Sequence, residues 1–324
     1  MEEIERRGDR LVVAQHRLWY ATMQSNSSQY GDAHRNSIES LAILLKQDNL
    51  NPYLGVLYQV HRHLDPRNLL HWGEWGQALS QVEASIALLE KNGDHAYARQ
   101  LLALKAWVHL HAMDFSGVVA ICESIVASVR IPMGVRLLHV LVGSAEVALG
   151  NHDRAFEHLM KTKELMDGQP LMNDWENGML LQAGLTELWL AKGDLGQARQ
   201  EAECFLDVAL ATAERTYQGL AWEANARVAI AEEEWRRAEE CIVKALATIE
   251  GYEVPLAAWR VHGTAADLYA RARKKDFAEQ HCELSRATIM KLANSLGSEE
   301  PLRKTFLAAP SVRKILDNAE RIGA

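Results

Sequence analysis

The chain has few cysteines, no basic excess and no long apolar run, and each absence excludes a class of protein. Its 324 residues include four cysteines, which lie far apart without a C-x-x-C pair, so neither zinc nor a disulfide framework is indicated. The formal net charge of -8 has the wrong sign for a surface that neutralises nucleic-acid phosphates. No apolar stretch approaches the ~20 residues of a membrane-spanning helix. We therefore expect a cytoplasmic protein with no membrane segment and no direct nucleic-acid partner.

Recognisable catalytic and metal-binding patterns are absent as well. The sequence contains no H-E-x-x-H zinc motif, no G-x-S-x-G elbow and no G-x-x-x-x-G-K-[ST] phosphate loop. Histidines are frequent, but the nearest pairs, His61 with His63 and His109 with His111, are two residues apart and point away from each other on a helix. The sequence therefore predicts no catalytic residue, no metal site and no cofactor.

What the chain does have is a turn that recurs at a nearly fixed step between apolar helical stretches. The turns are placed at Gly31-Asp32, Gly73-Glu74, Met113-Asp114, Gly150-Asn151, Gly193-Asp194, Glu233-Glu234 and Lys275-Asp276. Five positions after the first member of each pair come Asn36, Ala78, Val118, Ala155, Ala198, Ala238 and Gln280. A step of about forty residues predicts a continuous stack of antiparallel helix pairs.

We therefore predict an all-α solenoid of seven hairpins over residues 1-296, with a C-terminal cap at 297-324. Apolar periodicity places the helix pairs at 4-24 and 33-47, 52-72 and 75-91, 95-112 and 115-129, 132-149 and 152-166, 172-192 and 195-211, 216-232 and 235-250, and 254-273 and 276-294. Pro66 is expected to kink the helix 52-72 or divide it in two, because proline removes a helical hydrogen bond. The cap is expected to contain short helices at 300-307 and 311-322.

The hairpins resemble the tetratricopeptide repeat, most clearly from Gly73 to Ala78, from Gly150 to Ala155 and from Gly193 to Ala198. The resemblance covers nearly the whole chain and implies a right-handed superhelix, although the step exceeds the ~34 residues of the standard repeat. Lengthened repeats, and the segments 5-10, 303-307 and 312-316, are similar to C-terminal sensor arrays of bacterial signalling ATPases, among them maltose-regulator-like activators and cyclase-linked ATPases. The resemblance implies a module for signal transduction or transcription regulation. Without an ATPase, cyclase or helix-turn-helix sequence, it implies the sensor part alone.

Contact candidates are sought on the first helix of each pair, because these helices line the concave side in tetratricopeptide folds. Counting back eleven and fifteen residues from the repeat position gives two adjacent rows along one surface. The candidates from these rows are His63, Arg67, Trp107, Ser144, Glu187, Glu223, Arg227 and Tyr269. Arginine, tryptophan and tyrosine are favoured interface anchors. Against this, a repeat tryptophan can serve packing alone, and Glu223 with Arg227 can be a simple i,i+4 ion pair.

The sequence thus predicts a non-catalytic binding module without identifying its ligand. The leading hypothesis is that a protein or peptide segment binds in the concave groove. The alternative is a small-molecule sensor that controls an attached or partner ATPase, cyclase or transcription activator, which an enclosed apolar pocket would favour. An enzyme on a helical scaffold is a remote third possibility. The oligomeric state stays open.

Overall fold

The structure, a computed structural model, describes residues 10–46, 52–129, 132–172, 174–297 and 301–322, and these contain sixteen helices and no strand. The first four hairpins are α1 (Arg10–Ser25) with α2 (Tyr30–Leu44), α3 (Pro52–Trp72) with α4 (Trp75–Lys91), α5 (His95–His111) with α6 (Phe115–Val126), and α7 (Pro132–Ala148) with α8 (His152–Gly168). The next three are α9 (Asp174–Lys192) with α10 (Leu195–Leu210), α11 (Arg215–Ala231) with α12 (Trp235–Ile249), and α13 (Pro255–Arg271) with α14 (Lys275–Ser295). The last two helices are α15 (Pro301–Ala308) and α16 (Pro310–Ile322). The predicted all-α solenoid of seven hairpins is confirmed.

Every hairpin turn has the same backbone conformation. One residue adopts a positive φ, and the amide of the next residue donates to the carbonyl five positions before it, which is the Schellman arrangement that ends helices. At Gly73, for example, φ is 86°, and the amide of Glu74 lies 2.8 Å from the carbonyl oxygen of Leu69. The positive-φ residues of the seven hairpin turns are Ser28, Gly73, Met113, Gly150, Gly193, Glu233 and Arg273.

The first turn lies upstream of its predicted position. Ser28 has the positive φ, and the predicted pair Gly31-Asp32 lies inside α2. The small residue that lets the two helices approach closely is therefore Ala33, which is fully buried, and not Asn36. A serine in the left-handed conformation concealed the turn, because the glycine nearby gave the stronger local signal.

The last hairpin turn is displaced in the same direction. Arg273 has a φ of 57°, whereas the predicted turn Lys275-Asp276 already forms the start of α14. Ala278 takes the repeat position that had been assigned to Gln280. The count that placed Tyr269 on the concave side started from Gln280, so that residue was also out of register.

Three prolines between hairpins open helices as expected. Pro52, Pro132 and Pro255 are the first residues of α3, α7 and α13, where the missing amide costs no helical hydrogen bond. Pro66, in contrast, lies inside α3, which continues through it to Trp72. The interpretation of two short helices is therefore wrong.

The stack closes on itself. The residues at the start of α4 contact α14 and α15. The indole ring of Trp75 packs edge-on against the ring of Phe306, with ring centres 5.1 Å apart. The backbone amide of Trp75 donates a hydrogen bond to Ser295 Oγ at 3.1 Å. One apolar core accordingly runs from Leu69 in α3 to Val312 in α16. We call the contacts that join hairpins 1 and 2 to hairpins 5, 6 and 7 and to α15 the closing seam, and the superhelix closed by them the closed ring.

The two C-terminal helices pack on the last hairpin. Lys314 of α16 forms an ion pair with Asp267 of α13, and Ile315 approaches Gly263 on the same helix. The helices lie close to their predicted positions. The division of the chain at residue 296 stays a prediction.

Within the described ranges, no helix has the length and apolar character that a bilayer span needs. Three of the cysteines, Cys122, Cys241 and Cys282, are buried, Cys204 is partly buried, and all four are free thiols. Burial raises the pKa of the Cys122 thiol to about 12, which makes it unreactive. The cytoplasmic location stays a prediction.

Candidate functional site

The inner face is the set of side chains that the first helices of hairpins 2 to 7 direct toward the superhelix axis. It has two parts with different environments. In hairpins 2 and 3 it is covered by the closing seam, which we call the covered part. In hairpins 5 to 7 it carries charged side chains that reach solvent, which we call the open part.

Arg67 dominates the covered part. Its guanidinium lies 3.1 and 3.2 Å from the two carboxylate oxygens of Glu176 in α9, and it also donates to Ser25 Oγ at 3.0 Å and to Asn26 Oδ1 at 2.9 Å. Both charged side chains are nearly inaccessible to solvent. Burial raises the pKa of the Glu176 carboxyl, and the charge of Arg67 opposes that rise. The ion pair thus ties hairpin 2 to hairpin 5 across the axis.

Trp107 and the histidines of the covered part belong to the core. Trp107 is 1% exposed, and the His71 ring meets it edge-on at 5.3 Å and Tyr217 at 5.8 Å. Burial keeps the pKa of His71 well below its usual range, so the imidazole is neutral. Burial also lowers the pKa of His63 to about 4. In the closed ring, Trp107 offers no contact surface to a partner, and His63 is only partly exposed.

The open part brings three of the sequence candidates together. Arg227 in α11 makes two hydrogen bonds to the carboxylate of Glu187 in α9, one of them 2.8 Å long, and its Nε lies 3.8 Å from Glu223. Glu223 is buried and accepts a hydrogen bond from Thr264 in α13 at 2.6 Å. Glu187 and Arg227 are 39% and 35% exposed. A charged network therefore crosses three successive first helices and opens to water.

In the open part, Glu187 and Arg227 shift each other's pKa. Burial tends to raise the pKa of the Glu187 carboxyl, but the charge and hydrogen bonds of Arg227 outweigh it and hold that pKa below its usual value. The same pairing with Glu187 raises the pKa of Arg227. Both groups are therefore charged at neutral pH.

Arg260 in α13 belongs to this network and was missed from the sequence. Its guanidinium lies 5.0 Å from the ring centre of Trp259, and no carboxylate in the described ranges is within ion-pair distance. Burial lowers the pKa of Arg260, against the opposing charges of Glu223 and Glu187. Arg260 precedes Thr264 by one helical turn, so the two share a helix face. Counting back eleven and fifteen residues from Ala278 gives Asp267 and Gly263, so the repeat register does not mark Arg260 even when it is corrected.

Two candidates do not join the network. The Ser144 hydroxyl donates to the carbonyl of Val140 in its own helix at 2.9 Å. Tyr269 is 8% exposed and packs beside His281 and Phe277, with ring centres 5.5 and 5.7 Å away, so it is a core residue of hairpin 7.

A cleft of about 500 Å³ lies outside the inner face, where α4 and α5 meet α15. Leu79, Leu296 and Leu302 form its apolar wall. Its polar groups are already paired: Lys105 Nζ lies 2.7 Å from Glu83, and His109 Nδ1 lies 2.7 Å from Asp114. The cleft is open to solvent and is not the enclosed apolar pocket that a small-molecule sensor would favour. Over the described ranges, no three potential metal ligands converge.

The first helix carries an exposed apolar patch. Trp19, Tyr20 and Met23 are 59%, 52% and 69% exposed. The corresponding positions of later first helices are buried by the preceding hairpin, as Leu185 and Leu188 are in α9. Large apolar side chains left open in this way are typical of protein contact sites.

No family model and no curated protein matches the sequence. Solved structures do match in fold. A Pyrococcus horikoshii signal transduction ATPase with numerous domains (STAND) that has a tetratricopeptide repeat sensor aligns over 89% of this chain with 15% identity and a TM-score of 0.54. This chain spans 45% of that protein.

Two further structures are more distant. BtubC from P. vanneervenii aligns over 66% of this chain and 90% of its own, with 14% identity and a TM-score of 0.43. The apo form of RapI aligns over 94% and 85%, with 12% identity and a TM-score of 0.47. At such identities the likeness concerns the fold alone. The repeat geometry above and the likeness to the STAND structure in fold together establish a tetratricopeptide-like superhelix.

Proposed function

We propose that this chain is a non-catalytic interaction and sensing module that binds a protein or peptide segment on its inner face. The supporting observation is the charged network of the open part, where Glu187 and Arg227 reach solvent and the partly buried Arg260 lies on the next first helix. An arginine without a carboxylate partner can bind an acidic side chain of the segment bidentately. The similar STAND protein carries a tetratricopeptide repeat sensor, which agrees with this role in signalling.

Two observations favour a protein partner over a small molecule. The described cleft is open and its charged groups are paired, whereas small ligands prefer enclosed pockets. The exposed patch of Trp19, Tyr20 and Met23 offers a second contact area of the kind that proteins cover on association.

Selection of random peptides displayed on phage tests the proposal. Peptides enriched on the wild-type chain should lose about tenfold or more in affinity with Arg227→Gln or Arg260→Gln, because each change removes a charge-assisted hydrogen-bond donor. Arg236→Gln is the matched control, since Arg236 is 94% exposed on α12. Failure to enrich any peptide, or equal affinity for all three variants, would contradict the proposal.

A small-molecule sensor that controls an ATPase or transcription module is the second candidate. Its candidate site is the cleft between α4, α5 and α15, where His109 and Thr305 lie beside the leucine wall. A metabolite panel screened by thermal shift should then give a ligand whose stabilisation disappears with His109→Ala and persists with His95→Ala, an exposed histidine on the same helix.

A further inference from the structure

The closing seam depends on two glycines in hairpin 2. A Cβ atom on Gly73 would lie 2.7 Å from Leu292 Cδ2 and 2.8 Å from Pro255 Cγ. A Cβ atom on Gly76 would lie 2.2 Å from the backbone carbonyl oxygen of Ser295, which cannot move aside as a side chain can. The two chain segments therefore meet at a distance that only glycine permits.

The second contact region of the seam is polar and buried. Glu214 caps the start of α11 by accepting the Tyr217 amide at 2.9 Å. The same carboxylate accepts hydrogen bonds from Ser28 Oγ, at 2.5 Å, and from the Tyr30 hydroxyl. Ser28 Oγ also accepts the Arg215 amide at 2.7 Å, so the first turn of the chain is fixed to the sixth hairpin.

Closure leaves several polar atoms of the covered part without hydrogen bonds. His63 Nδ1, Trp107 Nε1 and the Tyr217 hydroxyl are buried and have no partner among the described residues. A buried donor or acceptor left unpaired costs roughly 1–3 kcal/mol, and water would satisfy these groups if hairpins 1 and 2 moved away. The closed ring is therefore less stable than its contact area suggests.

Opening the seam need not unfold the chain. In a solenoid each hairpin is stabilised mainly by its neighbours along the sequence, and those contacts do not include the seam. Hairpins 1 and 2 can therefore separate from hairpins 5, 6 and 7 while α4 remains packed on α5.

We propose that the closing seam is an autoinhibitory latch that hides a second binding surface, formed by His63, Arg67 and Trp107, for an acidic peptide segment. The Glu176 carboxylate of hairpin 5 occupies Arg67 in the closed ring, in the place that a carboxylate of the segment takes after opening. The inference rests on the proposed function, because it assigns a further part of the inner face to the same kind of partner.

Gly76→Ala tests the latch, because the added methyl group cannot fit against Ser295. Gly196→Ala is the matched control. Gly196 is likewise the second residue of its helix, and its Cβ would meet only Asp194 Oδ1 at 3.6 Å. Gly76→Ala should increase the radius of gyration in small-angle X-ray scattering and the amide exchange of α1 to α3, with helicity unchanged. Gly196→Ala should leave both as in the wild type.

Binding is measured with a fluorescein-labelled hexaglutamate peptide. Because a ligand of a rare open state binds with an affinity reduced by the open fraction, Gly76→Ala should bind about tenfold more tightly than wild type. Adding Arg67→Gln should remove this gain. If Gly76→Ala fails to fold, Ser28→Ala with Tyr30→Phe weakens the seam at its other contact and should give the same changes.

Each outcome has a separate meaning. An unchanged radius of gyration and amide exchange in a folded Gly76→Ala would overturn the latch. An open ring that binds hexaglutamate no better than wild type would overturn the hidden surface. Neither result depends on the open part. The variants Arg227→Gln and Arg260→Gln, which leave the closing seam as in the wild type, test the proposed function separately.

Discussion

The covered and open parts of the inner face use the same residue types for different purposes. Each has an arginine bound to a glutamate of another hairpin: Arg67 with Glu176, and Arg227 with Glu187. The first pair is 13% and 14% exposed and holds the ring closed, whereas the second is more than a third exposed and faces solvent. A position in the repeat thus determines the direction of a side chain, and the curvature of the whole superhelix determines its environment.

Replacement of Trp107 should give the largest effect of this comparison. Trp107→Ala removes a fully buried indole from the covered part and should lower the free energy of unfolding by about 3–5 kcal/mol, measured by urea denaturation. Trp235→Ala is the control, since Trp235 is 43% exposed and its replacement should cost much less. Equal losses for both variants would remove the distinction between core and surface tryptophans.

The two arginines give the next test. Arg67→Gln leaves Glu176 buried without its charge partner and should cost about 3 kcal/mol or more. Arg227→Gln, in the solvent-exposed pair, should cost no more than about 1 kcal/mol. Chemical denaturation of the two variants measures the difference. If Arg227→Gln proved the more costly, the open part would have a structural role instead of a recognition role.

Acid should weaken the covered part. Burial lowers the pKa of His63 to about 4 and that of His111 to about 3, below the 6.5 of an unfolded histidine. Between pH 6.5 and 4 the unfolded chain therefore binds more protons than the folded chain. The free energy of unfolding consequently decreases as the pH is lowered. His34 acts in the opposite sense, because its hydrogen bond to Asp65 raises its pKa and adds stability in acid.

We expect the melting temperature to fall by several degrees between pH 7 and pH 5, as measured by circular dichroism. His111→Asn should flatten this dependence, and His95→Asn, at an exposed position, should not. A pH profile unchanged by His111→Asn would show that other groups cause the loss.

Helix positions could be predicted because they depend on local patterns. The predicted helix 75-91 coincides with α4, since apolar periodicity and a Gly-Glu turn both mark its start. The first and last turns were misplaced because Ser28 and Arg273 adopt a conformation that glycine usually signals. The register error at the last turn placed Tyr269, a core residue, among the contact candidates.

Closure could not be predicted, because it depends on contacts between residues far apart in sequence. Nothing near Gly76 indicates that Ser295 will lie against it, and Gly196, at the same helix position, contacts no other hairpin. Trp107 was predicted to lie on the inner face, but it is fully buried against His71 of hairpin 2, whose ring also contacts Tyr217 of hairpin 6. Repeat register therefore gave the direction of each candidate and left its solvent exposure undetermined.

The fit between Gly76 and Ser295 also limits how this protein can change its length. An open solenoid can gain or lose a hairpin wherever neighbouring surfaces match. Here one additional hairpin would move the two ends of the seam apart by at least one helix layer, roughly 10 Å. Such a variant could not form the contacts of the closing seam. Closure of the ring therefore fixes the number of repeats.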